Sequence, residues 1–248
     1  MEAAARSAEL RAIVSCESLG RRFGEGAAAV DALRGVSLEF PAGELTAIVG
    51  PSGSGKSTLM HLLAGLDKPT AGRAWIDGIE VTDLDDKGLT ALRRQKLGFI
   101  FQFFNLVPVL DAAENVELPL KIAGRDVDGA WRDELLETVG LSDRSSHRPA
   151  ELSGGQQQRV AVARALIARP AVVFADEPTG NLDSKSGAGV LDLLRRSVDE
   201  LGQTVVVVTH DPKVAAYADR VIVLADGEVA ADERIGGEDD VIELMREP

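Results

Sequence analysis

The sequence predicts an α/β protein built on a mostly parallel sheet. Three observations point to this class: apolar runs of strand length recur along the chain, helical patterns separate them, and turn residues bound them. The chain has 248 residues, 45% of them hydrophobic, which is enough to bury a sizeable core as one domain or as one domain with an inserted lobe.

The N-terminal part alternates strands and turns before the first helix. We predict strands at 13–19 and 32–40, followed by a turn at 41–43 that contains proline and glycine. The run Leu45–Val49 has no polar side chain except Thr46, as is typical of a strand buried on both faces. A helix is predicted at 57–65.

The middle of the chain has a different character. Helical patches occur at 114–122 and 129–139, and good strand patterns are missing between about 111 and 150, which indicates an inserted helical lobe. Beyond it, strands and helices alternate again. The predicted elements there are strands at 171–175, 204–208 and 220–224 and helices at 156–168 and 187–201, whereas a further strand at 98–101 precedes the lobe. We therefore predict one domain over 1–248, with a core at about 12–102 and 151–232, a lobe at about 103–150 and an acidic tail at about 233–248.

Composition narrows the function classes. The formal net charge is −13, and from Asp226 onward there are nine acidic and two basic residues, so direct binding to nucleic-acid phosphates or anionic lipid is not expected. We interpret the acidic end as a solvated tail, with a short helix around 241–245 as the alternative. The single cysteine, Cys16, excludes an intrachain disulfide and is interpreted as a small buried hydrophobic residue.

The sequence also bears on the compartment. No apolar run approaches the ~18 residues that a membrane helix requires. The first dozen residues mix charges into an alanine-rich stretch and lack the apolar centre of a signal peptide. These features indicate a cytosolic protein.

A complete GxxxxGK[ST] pattern lies between the strand Leu45–Val49 and the next predicted helix. Its glycines let backbone N–H groups curl around phosphates, and the start of the helix directs its positive end at the same anion. Lys56 is placed to reach the β- and γ-phosphates, and the Ser57 hydroxyl is placed to bind Mg²⁺. The predicted nucleotide-binding residues here are Gly50, Pro51, Ser52, Gly53, Ser54, Gly55, Lys56, Ser57 and Thr58.

Two carboxylates, Asp176 and Glu177, directly follow the predicted strand at 171–175. Ligands of parallel sheets bind at the carboxyl ends of the strands. Asp176 therefore suits Mg²⁺ coordination, directly or through water, while Glu177 on the opposite side of the strand suits a general base that polarises the attacking water. Ordinary solvated acids at a strand end are the alternative, and the phosphate loop argues against it.

The run Leu152-Ser153-Gly154-Gly155-Gln156 follows the helical stretch and opens a helix. Ser153 and the N–H groups after it form a second anion-binding helix start. This run resembles the signature motif of ABC ATPases, and the resemblance extends from about Val14 to Ala231. It implies ATP and Mg²⁺ as ligands, and a P-loop NTPase core with an antiparallel β region near the N-terminus and an inserted helical lobe.

The resemblance implies roles for four further residues. Phe23 corresponds to the aromatic residue that stacks on adenine, where the family more often has tyrosine; a buried residue at a strand end is the alternative. Gln102 corresponds to the Q-loop glutamine, which contacts Mg²⁺ or the attacking water. Asp183 corresponds to the D-loop aspartate, and His210 to the switch histidine that contacts the γ-phosphate.

The chain contains one phosphate loop and one signature motif. In ABC ATPases the nucleotide lies between the phosphate loop of one subunit and the signature of another. The resemblance therefore implies a dimer, most simply a homodimer, that holds two ATP molecules. It implies no nucleic-acid partner.

Further segments resemble the branch of the family that includes MacB and LolD; they lie at 96–102, 105–106, 114–116, 147–149 and 180–183. This implies a separate integral membrane permease with an extracytoplasmic domain, and a location at the cytoplasmic face of the membrane. Drug or peptide export, lipoprotein extraction and force transmission all occur in the branch. A division-type ATPase that signals to cell-wall enzymes and a soluble ABC ATPase without transport remain the alternatives.

Four phenylalanines surround Gln102. Phe99 and Phe101 are expected to alternate into the core. Phe103 and Phe104 open the segment that faces the permease in the family, and burial inside the lobe is the alternative for both.

Overall fold

A computed structural model describes residues 12–246, apart from the side chain of Ala27. Within this range the chain forms ten strands and eight α-helices, joined by turns and three short 3-10 segments. The elements in chain order are β1 (Ala12–Phe23), β2 (Val30–Pro41), β3 (Leu45–Val49), α1 (Lys56–Leu63), β4 (Ala71–Ile76), β5 (Ile79–Glu80), α2 (Asp86–Lys96), β6 (Leu97–Phe101), α3 (Ala112–Ile122), α4 (Gly129–Thr138), α5 (Gly154–Leu166), β7 (Val172–Asp176), α6 (Ser184–Leu201), β8 (Thr204–Val208), α7 (Pro212–Ala215), β9 (Arg220–Ala225), β10 (Glu228–Arg234) and α8 (Glu238–Arg246).

The central element is a six-stranded sheet with the order β10-β9-β3-β8-β7-β6. The pairs from β9 to β6 are parallel, and the edge pair β10–β9 is antiparallel. Every residue of β3 and β8 is buried, because both faces of these strands are covered. Alternate side chains enter different core clusters: Ile48 packs on one face, while Ala47 and Val49 pack on the other. The predicted α/β class with a mostly parallel sheet is confirmed.

A second sheet covers one face of the first. Its four strands, in the order β2-β1-β4-β5, are antiparallel, as the family resemblance implies for the N-terminal region. Side chains of this sheet, such as Phe40 and Ile76, share a cluster with Ile48 and Phe174 of the central sheet. Helices α1 and α2 contribute to the same cluster, whereas the helices from α3 to α8 cover the opposite face.

Helices α3 and α4 lie in the chain between β6 and β7, although these two strands are neighbours in the sheet. Both helices pack against α5, which leads back into β7. In the described part of the chain, no helix combines the length and the apolar character needed to cross a membrane. Cys16 is buried, as predicted, and burial raises the pKa of its thiol to about 11.

The interpretation of the acidic end as a solvated tail is wrong. Residues up to Arg234 belong to β10, and α8 follows as a helix. Val241 is fully buried, and Leu244 and Met245 pack partly buried against the same cluster. The apolar spacing of i, i+3 and i+4 gives this acidic helix one face that the core can accept. The final residues of the predicted tail, 247–248, lie outside the described range.

Candidate functional site

A cleft of about 770 Å³ lies at the carboxyl ends of the central strands. Its lining includes ten of the residues predicted to bind nucleotide or act on it: Gly50, Pro51, Ser52, Gly53, Gly55, Lys56, Ser57, Thr58, Glu177 and His210. The remaining lining residues are apolar and were not predicted: Ala32, Val208, Val223 and Met245. The fold thus brings together predicted residues that are up to 160 positions apart in the sequence, from Gly50 to His210.

The phosphate loop depends on glycine at two positions. Gly50 has φ 146°, and a Cβ there would lie 2.1 Å from the carbonyl oxygen of Leu224. Gly55, with φ 101°, directly precedes α1, and its Cβ would lie 2.4 Å from the carbonyl oxygen of Ala32. Both positions combine a backbone conformation that L-residues rarely adopt with no room for a side chain. These constraints hold the loop around the start of α1.

Lys56 crosses the mouth of this loop. Its Nζ donates to the carbonyl oxygens of Gly50 and Pro51, both at 2.8 Å. Burial lowers the pKa of Lys56, and the nearby carboxylates of Glu177 and Asp176 act in the opposite direction. The ammonium group is therefore held near the loop backbone, from which an anion in the cleft can recruit it. Ser54, which does not line the cleft, is buried beneath the loop.

Asp176 and Ser57 form an oxygen-rich pair at the start of α1. The Ser57 hydroxyl donates to Asp176 Oδ1 at 3.4 Å. Burial is the main cause that raises the pKa of Asp176, and the charge of Glu177 adds to it, while His61, Ser57 and Lys56 lower it. A hydroxyl beside a carboxylate at a phosphate-binding loop fits a hard divalent cation such as Mg²⁺.

Glu177 faces a different set of groups. Its carboxylate accepts hydrogen bonds from the Thr209 hydroxyl at 3.0 Å and from the backbone N–H of His210 at 3.0 Å. His210 Nδ1 lies 2.6 Å from the same carboxylate, while the ring itself is 73% exposed. Glu177 also has φ 45°, an uncommon backbone conformation for a residue with a side chain. The carboxylate is therefore oriented before any ligand enters.

The signature turn lies at the start of α5. Ser153 caps this helix: its Oγ accepts from the N–H of Gln156 at 3.3 Å, and the Gln156 side chain accepts from the N–H of Ser153 at 2.9 Å. Ser153 is exposed, and none of the signature residues belongs to the lining of the cleft within the described chain. Gly154 and Gly155 occupy the first turn of the helix. One chain therefore presents two separate helix starts suited to anions.

Gln102 and Asp183 lie near each other in the chain's tertiary structure but outside the cleft lining. Asn181, two residues before Asp183, links the two segments. Its side-chain Nδ2 donates to the carbonyl oxygen of Gln102 at 3.0 Å. Asp183 caps α6 through Lys185 and Ser186, and the hydrogen bond from the Ser186 hydroxyl is the main cause that lowers the pKa of Asp183.

The aromatic residues are less buried than the sequence suggests. Phe23 is 42% exposed at the end of β1, with the Arg21 guanidinium 4.5 Å from its ring centre, so burial at a strand end is excluded; it does not line the cleft. Phe99 and Phe101 point to the same side and stack at 5.8 Å along a surface groove, and both are half-buried. Phe99 packs against the core cluster and stacks on the buried Phe174 at 6.2 Å, so its expected position at the core is confirmed in part. Residues i and i+2 of a strand share a face, and here that face opens to the groove.

Sequence reasoning missed several residues around the site. Thr209 is fully buried and orients Glu177 through its hydroxyl, and Met245 brings the C-terminal helix α8 to the cleft. A hydroxyl directly before His210 was the available signal for Thr209. No pattern near Met245 indicates a contact with a cleft whose phosphate loop lies more than 180 residues upstream.

Comparison with known proteins gives a family match. The model of a family described as ABC transporter matches residues 33–180. An uncharacterized ABC transporter ATP-binding protein of Methanocaldococcus jannaschii is 48% identical over 234 residues, which cover 92% of this chain and all of that protein. A macrolide export ATP-binding/permease protein of Marinobacter nauticus is 49% identical over 90% of this chain. The chain spans 35% of that relative's length.

Solved structures agree in fold. The ATP-binding cassette of the Methanocaldococcus jannaschii protein was solved as a dimer in a post-hydrolysis state bound to ADP and Pi. It matches this chain with a TM-score of 0.80 and 46% identity, covering 90% of this chain and 99% of that one. A component of the cbiONQ ABC transporter complex of Clostridium perfringens has a TM-score of 0.81 and 30% identity, covering 94% of this chain and 91% of that one.

Proposed function

This chain belongs to the ABC transporter family of ATP-binding ATPases, and we propose that two copies of it enclose two ATP·Mg²⁺ and drive a separate membrane permease of the MacB/LolD type. One observation carries the proposal. The cleft holds the phosphate loop, Glu177 and His210, while the exposed cap of Ser153 lies outside the cleft lining of the same chain. A second copy supplies the missing half.

The residues of the cleft divide the work of hydrolysis. The loop N–H groups and Lys56 bind the β- and γ-phosphates. Ser57 and Asp176 would hold Mg²⁺, with Gln102 as a further ligand that the family resemblance implies, and the ion would supply positive charge that neutralises the phosphate oxygens. Glu177 accepts a proton from the attacking water, since Thr209 and His210 already orient its carboxylate. His210, with its exposed ring, is positioned to contact the γ-phosphate.

The signature of the second copy completes the site. Ser153, Gly154, Gly155 and Gln156 present the positive end of α5 to the γ-phosphate, and Asp183 of the D-loop lies at the contact between the copies. Phe23 stacks on adenine from the end of β1. The dimeric structure of the Methanocaldococcus jannaschii cassette bound to ADP and Pi supports this arrangement.

The permease assignment rests on the relatives. A macrolide export protein that combines ATP-binding and permease functions matches this chain over about a third of its own length. We propose that the corresponding permease here is a separate protein with an extracytoplasmic domain, and that this chain binds it at the cytoplasmic face of the membrane. Phe103, which is 72% exposed beside Gln102, provides apolar surface for that contact.

The test uses two variants that damage different halves of the shared site. Lys56→Ala removes the phosphate clamp, and Ser153→Arg places bulk where the signature meets the γ-phosphate. Each homodimer carries a lesion at both sites, whereas a mixed dimer has one intact phosphate loop facing one intact signature. We expect the mixture to recover ATPase activity that neither variant has alone.

A second readout covers the case in which both sites must act together. Mixed dimers that also carry Glu177→Gln should trap nucleotide at the intact site, as measured by retention of labelled ATP after gel filtration. Each variant alone is the matched control. Mixed dimers that form but neither hydrolyse nor trap ATP would show that the site is completed within one chain.

A further inference from the structure

The loop that follows Gln102 has a strained backbone. Phe104 and Asn105 both adopt left-handed conformations, with φ of 60° and 51°. In this region the Cβ of an L-residue approaches the neighbouring carbonyl oxygen, so consecutive non-glycine residues rarely stay there. Such a conformation persists only where the surrounding structure holds it.

Arg164, in the last turns of α5, supplies that hold. Its Nη2 donates to the carbonyl oxygen of Phe104 at 2.7 Å and its Nη1 to that of Asn105 at 2.6 Å. Within the described chain no carboxylate pairs with this guanidinium, whose pKa is lowered by burial. The two strained carbonyls are therefore the groups that compensate its buried charge.

The same helix begins at the signature turn, and the strained loop touches that turn. The Phe104 ring lies against Gly154, where an added Cβ would meet its Cζ at 3.7 Å. Halfway along α5, the fully buried Gln158 donates to the carbonyl oxygens of Phe101 at 3.3 Å and Pro178 at 2.5 Å. One helix thus fixes the residue before Gln102, the strained pair after it and the residue after Glu177.

From these contacts we infer that Arg164 is a positioning residue. By holding Phe104 and Asn105 in the left-handed conformation, it fixes the positions of Gln102 and of the Phe104 ring, which lies against Gly154, relative to α5. Its effect on hydrolysis rests on the proposed function. Arg164 reaches no residue of the phosphate cleft, so it acts on the placement of Gln102 and the signature and leaves ATP binding to the loop.

The test compares Arg164→Met and Arg164→Lys with Arg159→Met in the full chain. Arg159 is the matched control, because it also lies on α5 and donates to a backbone carbonyl, that of Val139. In Arg164→Met we expect amide exchange at 103–106 to accelerate about tenfold or more, as for a loop that loses its anchor. Arg159→Met should leave exchange in this segment within about twofold.

Hydrolysis gives the second readout. Arg164→Met should lower kcat about tenfold while KM for ATP stays within about threefold, the pattern of a lost interaction that is not used in ground-state binding. Arg164→Lys should retain part of kcat, since an ammonium group can still donate to one carbonyl. Adding Asn105→Gly to Arg164→Met should recover part of kcat, because glycine adopts the left-handed conformation without strain.

Three outcomes overturn the inference. They are unchanged amide exchange at 103–106 in Arg164→Met, an equal acceleration of that exchange in Arg159→Met, and no recovery of kcat when Asn105→Gly is added to Arg164→Met. The exchange readout does not depend on ATPase activity. A wild-type chain without activity whose exchange still responds to Arg164→Met contradicts the proposed function and supports the anchoring role. Arg164→Lys covers the case in which Arg164→Met does not fold.

Discussion

The phosphate cleft and the signature turn both lie at the start of a helix, yet they differ in what surrounds them. In the cleft, Lys56 and Glu177 already have partners from the two loops that directly follow β3 and β8 of the same chain. At the signature, Ser153 and Gln156 satisfy each other and expose the helix start to solvent. In the proposed dimer the first site would supply the groups for hydrolysis, and the second would present its exposed helix start to the nucleotide of another copy.

The largest expected effect is the loss of ATP hydrolysis in a variant that still binds ATP. Glu177→Gln should reduce steady-state ATP hydrolysis about 100-fold or more, the scale expected for a positioned general base. The loop and Lys56 are unchanged, so ATP binding should persist, and gel filtration with ATP and Mg²⁺ should show more dimer than wild type. Ser153→Arg is the contrasting control, since it should lose both dimer and activity. Near-normal turnover in Glu177→Gln would assign the base to another residue.

A smaller effect concerns the stability of the cleft. The folded-state pKa of Asp176 is raised above its ordinary value of 3.8, mainly by burial, so the folded chain binds this proton more tightly than the unfolded chain does. The stabilising contribution is present at low pH and is lost as the pH rises through the folded-state pKa. Asp176→Asn should therefore raise the midpoint of thermal unfolding at neutral pH without nucleotide.

This advantage of Asp176→Asn should shrink as the pH falls through the raised folded-state pKa of Asp176, because below it the wild-type carboxyl also carries a proton. With ATP and Mg²⁺ the order should reverse, because only the wild type retains the metal-binding carboxylate and gains from ligand binding. Scanning fluorimetry with and without nucleotide at several pH values measures both changes. Equal midpoints across the whole range would contradict the burial argument.

The smallest expected effect on ATP hydrolysis separates two adjacent phenylalanines. Phe103→Ala should leave the activity of the isolated chain within about threefold of wild type, because this side chain is 72% exposed. If the proposed permease contact is correct, Phe103→Ala should weaken binding of this chain to the permease in a pull-down. Phe104→Ala should lower hydrolysis further, because its ring supports Gly154. The reverse pattern would place the permease contact at Phe104.

How much of the fold could be predicted from the sequence depended on how clear a pattern of apolar residues each element contains. Strands β3 and β8 were predicted with their observed bounds, because strands buried on both faces are continuous apolar runs. The segment that forms β4, β5 and α2 was not predicted; α2 buries only Leu89 and Leu92 and is otherwise polar. The acidic residues around α8 obscured its one buried face.

The candidate site likewise contains residues that could be predicted from the sequence and residues that could not. Motif spacing predicted that the phosphate loop, Glu177 and His210 meet in one cleft, and they do. Arg164, Gln158 and Asn181 could not be found in this way, because each acts on backbone carbonyls, which every residue carries. Only the folded chain shows which carbonyls lie within reach.

The position of β3 between β8 and β9 also bears on how the chain is made. Ile48 pairs with Val208 and Ile222, so this early strand acquires both neighbours only when the last third of the chain has been synthesised. Until then its apolar residues have no sheet to join, and long-range parallel pairing is slow to form. A ribosome that pauses before β8 therefore holds a nascent chain in which the apolar strand β3 lacks both neighbours, and such a segment is the kind that chaperones bind.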